Sequence, residues 1–152
     1  RSATALASDR FIVYSTWKWA DLQANSGRQS VYCYIFSRPR PPMIGSQTPA
    51  NNNSVPALAG ASHSAEIEYA MGNLSTNNVF AWTADDYLVS SVMQAYFANF
   101  IKTGNPNGPG LPTWSAISPG ANMQLMNIDV RSQPETEANR GRYLFLDKIY
   151  TK

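Results

Sequence analysis

The 152-residue chain has a net charge of +2, and 43% of its residues are hydrophobic but only 14% charged. Soluble domains carry about 25% charged residues, so we expect part of this surface to be covered by other protein. The small, scattered charge leaves no electrostatic footprint for nucleic acid, and no segment is apolar for long enough to cross a membrane. One cysteine, Cys33, and one histidine, His63, exclude an internal disulfide and leave too few ligands for a zinc site. No metal and no cofactor are expected.

The chain opens on Arg1 with neither an initiator Met nor a signal peptide, which we read as an expectation of processing or truncation upstream. The first element, "SDRFIVYSTWKWADLQANSG", predicts a helix capped by Ser8 or Asp9 and stopped in left-handed backbone at "NSG", Asn25 to Gly27. "VYCYIF", Val31 to Phe36, predicts a strand buried on both faces, as parallel sheets covered by helices require. Cys33 inside it reads as a buried, inert thiol. Residues 37–60 are irregular, with Pro39, Pro41, Pro42, Pro49 and Pro56, and the doublet Arg38 and Arg40 in "SRPRPP" reads as a solvated loop. A loop of this length in a compact protein is usually functional or covers something.

"FAWTADDYLVSSVMQAYFANFIKTGNPNG" predicts a helix from a Thr83–Asp86 capping box, stapled by Trp82 and Tyr87 and closed at Gly104, with most of its surface buried. A strand at "MQLMNI", Met123 to Ile128, and a helix at "RYLFLDKIY", Arg142 to Tyr150, follow. Trp17, Trp19, Trp82 and Trp114 read as core and loop anchors. The alternation predicts an α/β fold, but two strands make a poor parallel sheet with exposed edges, so the rest of the sheet is expected elsewhere.

"GASHSAEIEYAMG", with His63, Glu66, Ile67, Tyr69 and Gly72 in register, resembles the histidine segment of the type-B carboxylesterases, the α/β-hydrolases that include the cholinesterases. "FANFIKTGNPN", Phe97 to Asn107, resembles that family's helix-ending segment, and "LPTW", Leu111 to Trp114, follows it, with the proline ahead of the tryptophan rather than after. The resemblance covers nearly the whole chain in the right order. It implies the C-terminal part of an α/β-hydrolase fold, with residues 1–152 forming part of one such domain: a mostly parallel sheet with helices on both faces. It implies ester hydrolysis by acyl transfer through a Ser-His-acid triad, with His63 as general base.

In α/β-hydrolases the triad runs Ser, acid, His along the chain. Residues 1–62 hold no Gly-x-Ser-x-Gly elbow, and the upstream acids, Asp9 and Asp21, lie on the helix before "VYCYIF". The nucleophile and acid are therefore expected in an upstream N-terminal part of the same protein, nicked or separate, and this chain by itself is expected to be inactive. Glu66 reads as a first-turn carboxylate favoured by the helix dipole, and Ser62 and Ser64 as helix-capping residues. The alternative reading is a non-catalytic, cholinesterase-like binding or adhesion module. The expected partners are the upstream part and a small-molecule ester, with no nucleic acid and no membrane. "NNS" at Asn52 and "NLS" at Asn73 are acceptor patterns for glycosylation, and the composition leans toward a secreted or periplasmic protein.

Overall fold

A computed structural model describes residues 2–45 and 60–150. Its elements are α1 (Ser2–Ser8), a π-helical turn (Asp9–Val13), α2 (Tyr14–Ser26), β1 (Tyr34–Phe36), α3 (Ile67–Met71), a 3₁₀ turn (Leu74–Thr76), α4 (Ala84–Thr103), β2 (Gln124–Ile128), β3 (Gln133–Thr136) and α5 (Arg140–Tyr150). The fold is α/β. Its three-stranded sheet has the order β1-β2-β3. Met126 N bonds to Cys33 O and Ser37 N to Ile128 O, so donors and acceptors advance together along β1 and β2 and the pair is parallel. Glu137 N bonds back to Met123 O, as an antiparallel β2–β3 hairpin requires. The expectation of two strands missed β3, "QPET", whose proline and charge hide a strand signal.

Two compact units divide the chain. The first comprises Arg1–Cys33, Trp114–Met126 and Pro134–Lys152. Its core gathers Trp17, Ile117, Met123 and Tyr143, flanked by Val13, Ala20, Val31 and Leu125. Within it Glu137, almost fully buried, accepts hydrogen bonds from Trp17 Nε1 at 2.7 Å, Met123 N at 2.9 Å and Arg140 Nη1 at 2.7 Å. A buried carboxylate is tolerable only with such partners. Asp9, also buried, is paired with Arg142 at 2.5 Å.

Several expectations change here. The first helix starts well before Ser8, whose φ of −61° and ψ of −45° are helical, and no side-chain cap forms. Asp9 is drawn inward by Arg142 instead of capping. Gly27 is extended (φ −78°, ψ 164°), not left-handed. It is glycine-sized for another reason: a Cβ there would stand 2.5 Å from Gln23 O. Trp19 is 74% exposed, so only Trp17 and Trp114 are core anchors and Trp82 is half-buried.

The second unit comprises Tyr34–Thr113 and Asn127–Gln133. The strand at "VYCYIF" is confined to Tyr34–Phe36, with Ile35 48% exposed, so its two faces are not both covered among the described residues. Burial on both faces needs a layer over each, and among the described residues Ile35 is not covered by one. Cys33 is only partly buried. Helix α4 begins at Thr83 with the expected capping box and ends at Gly104 in left-handed backbone (φ 73°). Its burial is one-sided. Asp86, Val89, Ser90, Met93 and Tyr96 face inward, while Tyr87, Leu88, Phe100 and Ile101 remain exposed. The "TGNPN" segment is held by its own polar side chains. Asn99 Nδ2 donates to Pro106 O, Thr103 Oγ1 receives Asn105 N, and Asn105 Oδ1 receives Asn107 N. Those local bonds explain why that residue order is needed after the glycine.

Candidate active site

His63 stands, exposed, in a turn spanning residues 63–66 between the proline-rich loop and α3. Ala65 N closes the turn onto Ser62 O at 3.1 Å. Ser64, next to His63, takes φ 65°, the left-handed region that a non-glycine residue occupies only at a cost. Neither Ser62 nor Ser64 caps α3, contrary to expectation; its N-cap is Glu66, without a side-chain cap bond. Ser64 is committed to the turn, and a left-handed residue cannot aim its hydroxyl as an N-cap does.

A five-residue helix is not stable alone, and α3 (Ile67–Met71) is pinned from below by Tyr69, which is fully buried. The Tyr69 ring packs on Phe36 at 4.9 Å between centroids and edge-on to Trp82 at 5.7 Å. Phe36 ends β1, so the histidine segment is moored to the C-terminal end of a parallel strand. Ligands of open α/β sheets bind at that end. The Tyr69 carbonyl receives Ser90 Oγ from α4 at 2.8 Å.

Beneath the turn lies a buried polar node. Asp86 Oδ1 accepts from Tyr69 OH at 2.9 Å and from Arg38 Nε at 2.8 Å, while Oδ2 accepts from Thr83 N at 2.8 Å. Burial pushes the Asp86 carboxyl up, but the bonds from Arg38, Thr83 and Tyr69 outweigh it and hold the group below the usual carboxylate range. The Tyr69 phenol is raised, first by burial and then by its bond to the Asp86 carboxylate, which a phenolate would repel.

A second clip sits nearer His63. Arg40 Nη2 pairs with Glu68 Oε2 at 2.7 Å and reaches Ser64 O at 3.5 Å. Asn77 Nδ2 donates to the other Glu68 oxygen, and the Arg40 guanidinium lies 5.0 Å from the Phe80 ring centre. The solvated-loop reading of Arg38 and Arg40 is therefore corrected: both are ion-paired. A signal was present. Arginines two apart in a segment kept extended by Pro39 and Pro41 project to one side, here toward α3 and α4. Glu66, singled out by sequence, is half-buried with its carbonyl bonded by Ala70 N; Glu68 is the carboxylate held in the clip. Residues 46–59, including most of the proline-rich loop and Asn52, lie outside the described residues.

Among the described residues no cluster of His, Cys, Asp and Glu is arranged to hold a metal, and no helix is long and apolar enough to cross a membrane. The turn offers one imidazole beside a sheet end. The carboxylesterase family model matches residues 1–146, so the chain belongs to the carboxylesterase family. It is 35% identical over 104 residues to carboxylesterase 5A of Canis lupus familiaris, covering 66% of this chain and 17% of that protein. It is 36% identical over 76 residues to the pyrethroid hydrolase Ces2e of Rattus norvegicus (50% and 13%), and 29% identical over 138 residues to the cocaine esterase of Homo sapiens (91% and 23%). The chain thus spans less than a quarter of the length of these relatives.

Proposed function

We propose that this chain is the histidine-bearing, C-terminal portion of a serine carboxylesterase with an α/β-hydrolase fold, and that His63 is its general base. The observation that carries the reading is the seating of the His63 turn beside the C-terminal end of β1, through Tyr69 on Phe36, in a chain of the carboxylesterase family. The nucleophilic serine and the acid belong to an upstream part of the same protein. That part is also the proposed cover for the apolar side chains left exposed here, such as Phe11 (70%) and Ile101 (81%).

The substrate class is a small-molecule carboxylic ester, as the relatives' names suggest, and the setting is secreted or periplasmic. The serine oxygen attacks the ester carbonyl as His63 takes its proton, and the imidazolium returns that proton to the departing alcohol; water then repeats the cycle on the acyl-enzyme. No cofactor takes part, and this chain alone is inactive. The test is intact-mass spectrometry after a fluorophosphonate probe, on the complete protein and its His63→Gln variant. Labelling upstream of this chain, slowed by at least about a thousandfold in the variant, supports the enzyme. A complete protein that takes no label is the binding module instead.

A further inference from the structure

We propose that the Arg40–Glu68 clip is the positioning device for His63: it holds the imidazole's turn in its left-handed conformation, and turnover depends on it. The inference rests on the reading of His63 as general base. Three observations carry it. Ser64, directly after His63, sits at φ 65°, a backbone state that a serine keeps only when its surroundings impose it. Its carbonyl faces Arg40 Nη2, and that same nitrogen is paired with Glu68 at 2.7 Å. Glu68 lies one helical turn beyond the strained residue, so a single guanidinium ties the turn to the helix it opens.

The clip is itself braced. Asn77 takes the second Glu68 oxygen, and Phe80 lies under the guanidinium plane. Arg40 Nε is buried without an acceptor among the described residues. This placement of the guanidinium brings Nη2 between Ser64 and Glu68. A general base must stand within hydrogen-bond reach of the serine oxygen; a misplacement of about 1 Å costs about a hundredfold.

The test compares the complete enzyme with its Arg40→Met, Arg40→Lys, Glu68→Gln and His63→Gln variants. Methionine keeps an unbranched stem over Phe80 while removing the charge. The expected result is a kcat lower by about tenfold or more in Arg40→Met and Glu68→Gln, with KM within about twofold and the rate of fluorophosphonate labelling falling in step with kcat. Arg40→Lys recovers part of the loss. Unchanged kcat in folded Arg40→Met or Glu68→Gln overturns the proposal, as does a loss confined to KM or a lower active fraction with normal turnover per labelled site. Should Arg40→Met fail to fold, Glu68→Gln, which preserves the shape of the side chain, decides alone. Full turnover and labelling in His63→Gln instead overturns the reading of His63, a result distinct from any of these.

Discussion

Arg38 Nε stands 2.8 Å from Asp86 Oδ1, and the Asp86 side chain has no exposed surface. Removing one member of a buried pair leaves the other uncompensated, at a cost of about 3–5 kcal/mol. Asp86→Ala is expected to destabilise by that order, since it also unties Thr83 and Tyr69. Tyr69→Phe, which removes one donor and keeps the ring on Phe36, should cost about 1.5 kcal/mol. Denaturant unfolding of the two variants checks the ranking; equal costs would mean that the Tyr69 hydroxyl bond alone accounts for what the node contributes.

The same carboxylate predicts an acid limit. Its pKa is lowered in the folded state from the ordinary 3.8, so the unfolded chain binds the proton more readily. The stability it contributes is fully present above the unfolded value and is lost as pH falls through the folded one. Unfolding midpoints measured from pH 5 downward should drop below about pH 4, and Asp86→Asn should flatten part of that slope. A variant with an unaltered acid limb would assign it to other carboxylates.

Glu137 is the corresponding hub of the first unit, with Trp17 Nε1, Met123 N and Arg140 all donating to it. An amide in its place turns one acceptor into a donor facing a donor. Glu137→Gln should therefore destabilise by about 1–3 kcal/mol, read by thermal unfolding followed through tryptophan fluorescence. Trp17→Phe, which loses a bond but points no donor at another, is expected to retain ring packing on Tyr143 (5.5 Å).

Ser64 gives a prediction of opposite sign for two small changes. Glycine adopts φ 65° freely, so Ser64→Gly should leave stability equal or raised by up to about 1 kcal/mol. Ser64→Val, β-branched, should cost about 1–2 kcal/mol or more. Calorimetric midpoints separate the two, and a loss on glycine substitution would show that the hydroxyl, not the backbone, matters there.

Much of this was legible in sequence where the signal is local. Thr83, Asp86 and Gly104 announce the ends of α4 because capping is decided within one turn. Illegible were the long-range partners: Glu68 rather than Glu66 is clipped, and Arg38 and Arg40 are paired across 48 and 28 residues. Nothing in a linear pattern fixes which carboxylate an arginine meets. The failed capping at Ser8 has the same origin, because Asp9 is claimed by Arg142, 133 residues away. Burial failed differently. The strand at β1 was expected to be buried on both faces and α4 over most of its surface, yet Ile35, Leu88 and Ile101 are exposed.

The exposed apolar side chains, Phe11, Trp19 and Ile101 among them, set how the chain behaves in a test tube. Displayed at once, they make it a surfactant-like object that binds the dye ANS while fully folded. It will raise baseline fluorescence in any dye-based melt, recruit holdase chaperones during expression, and stay dispersed only at low concentration or in mild detergent. Handling conditions that suit an ordinary domain of its size will not suit it.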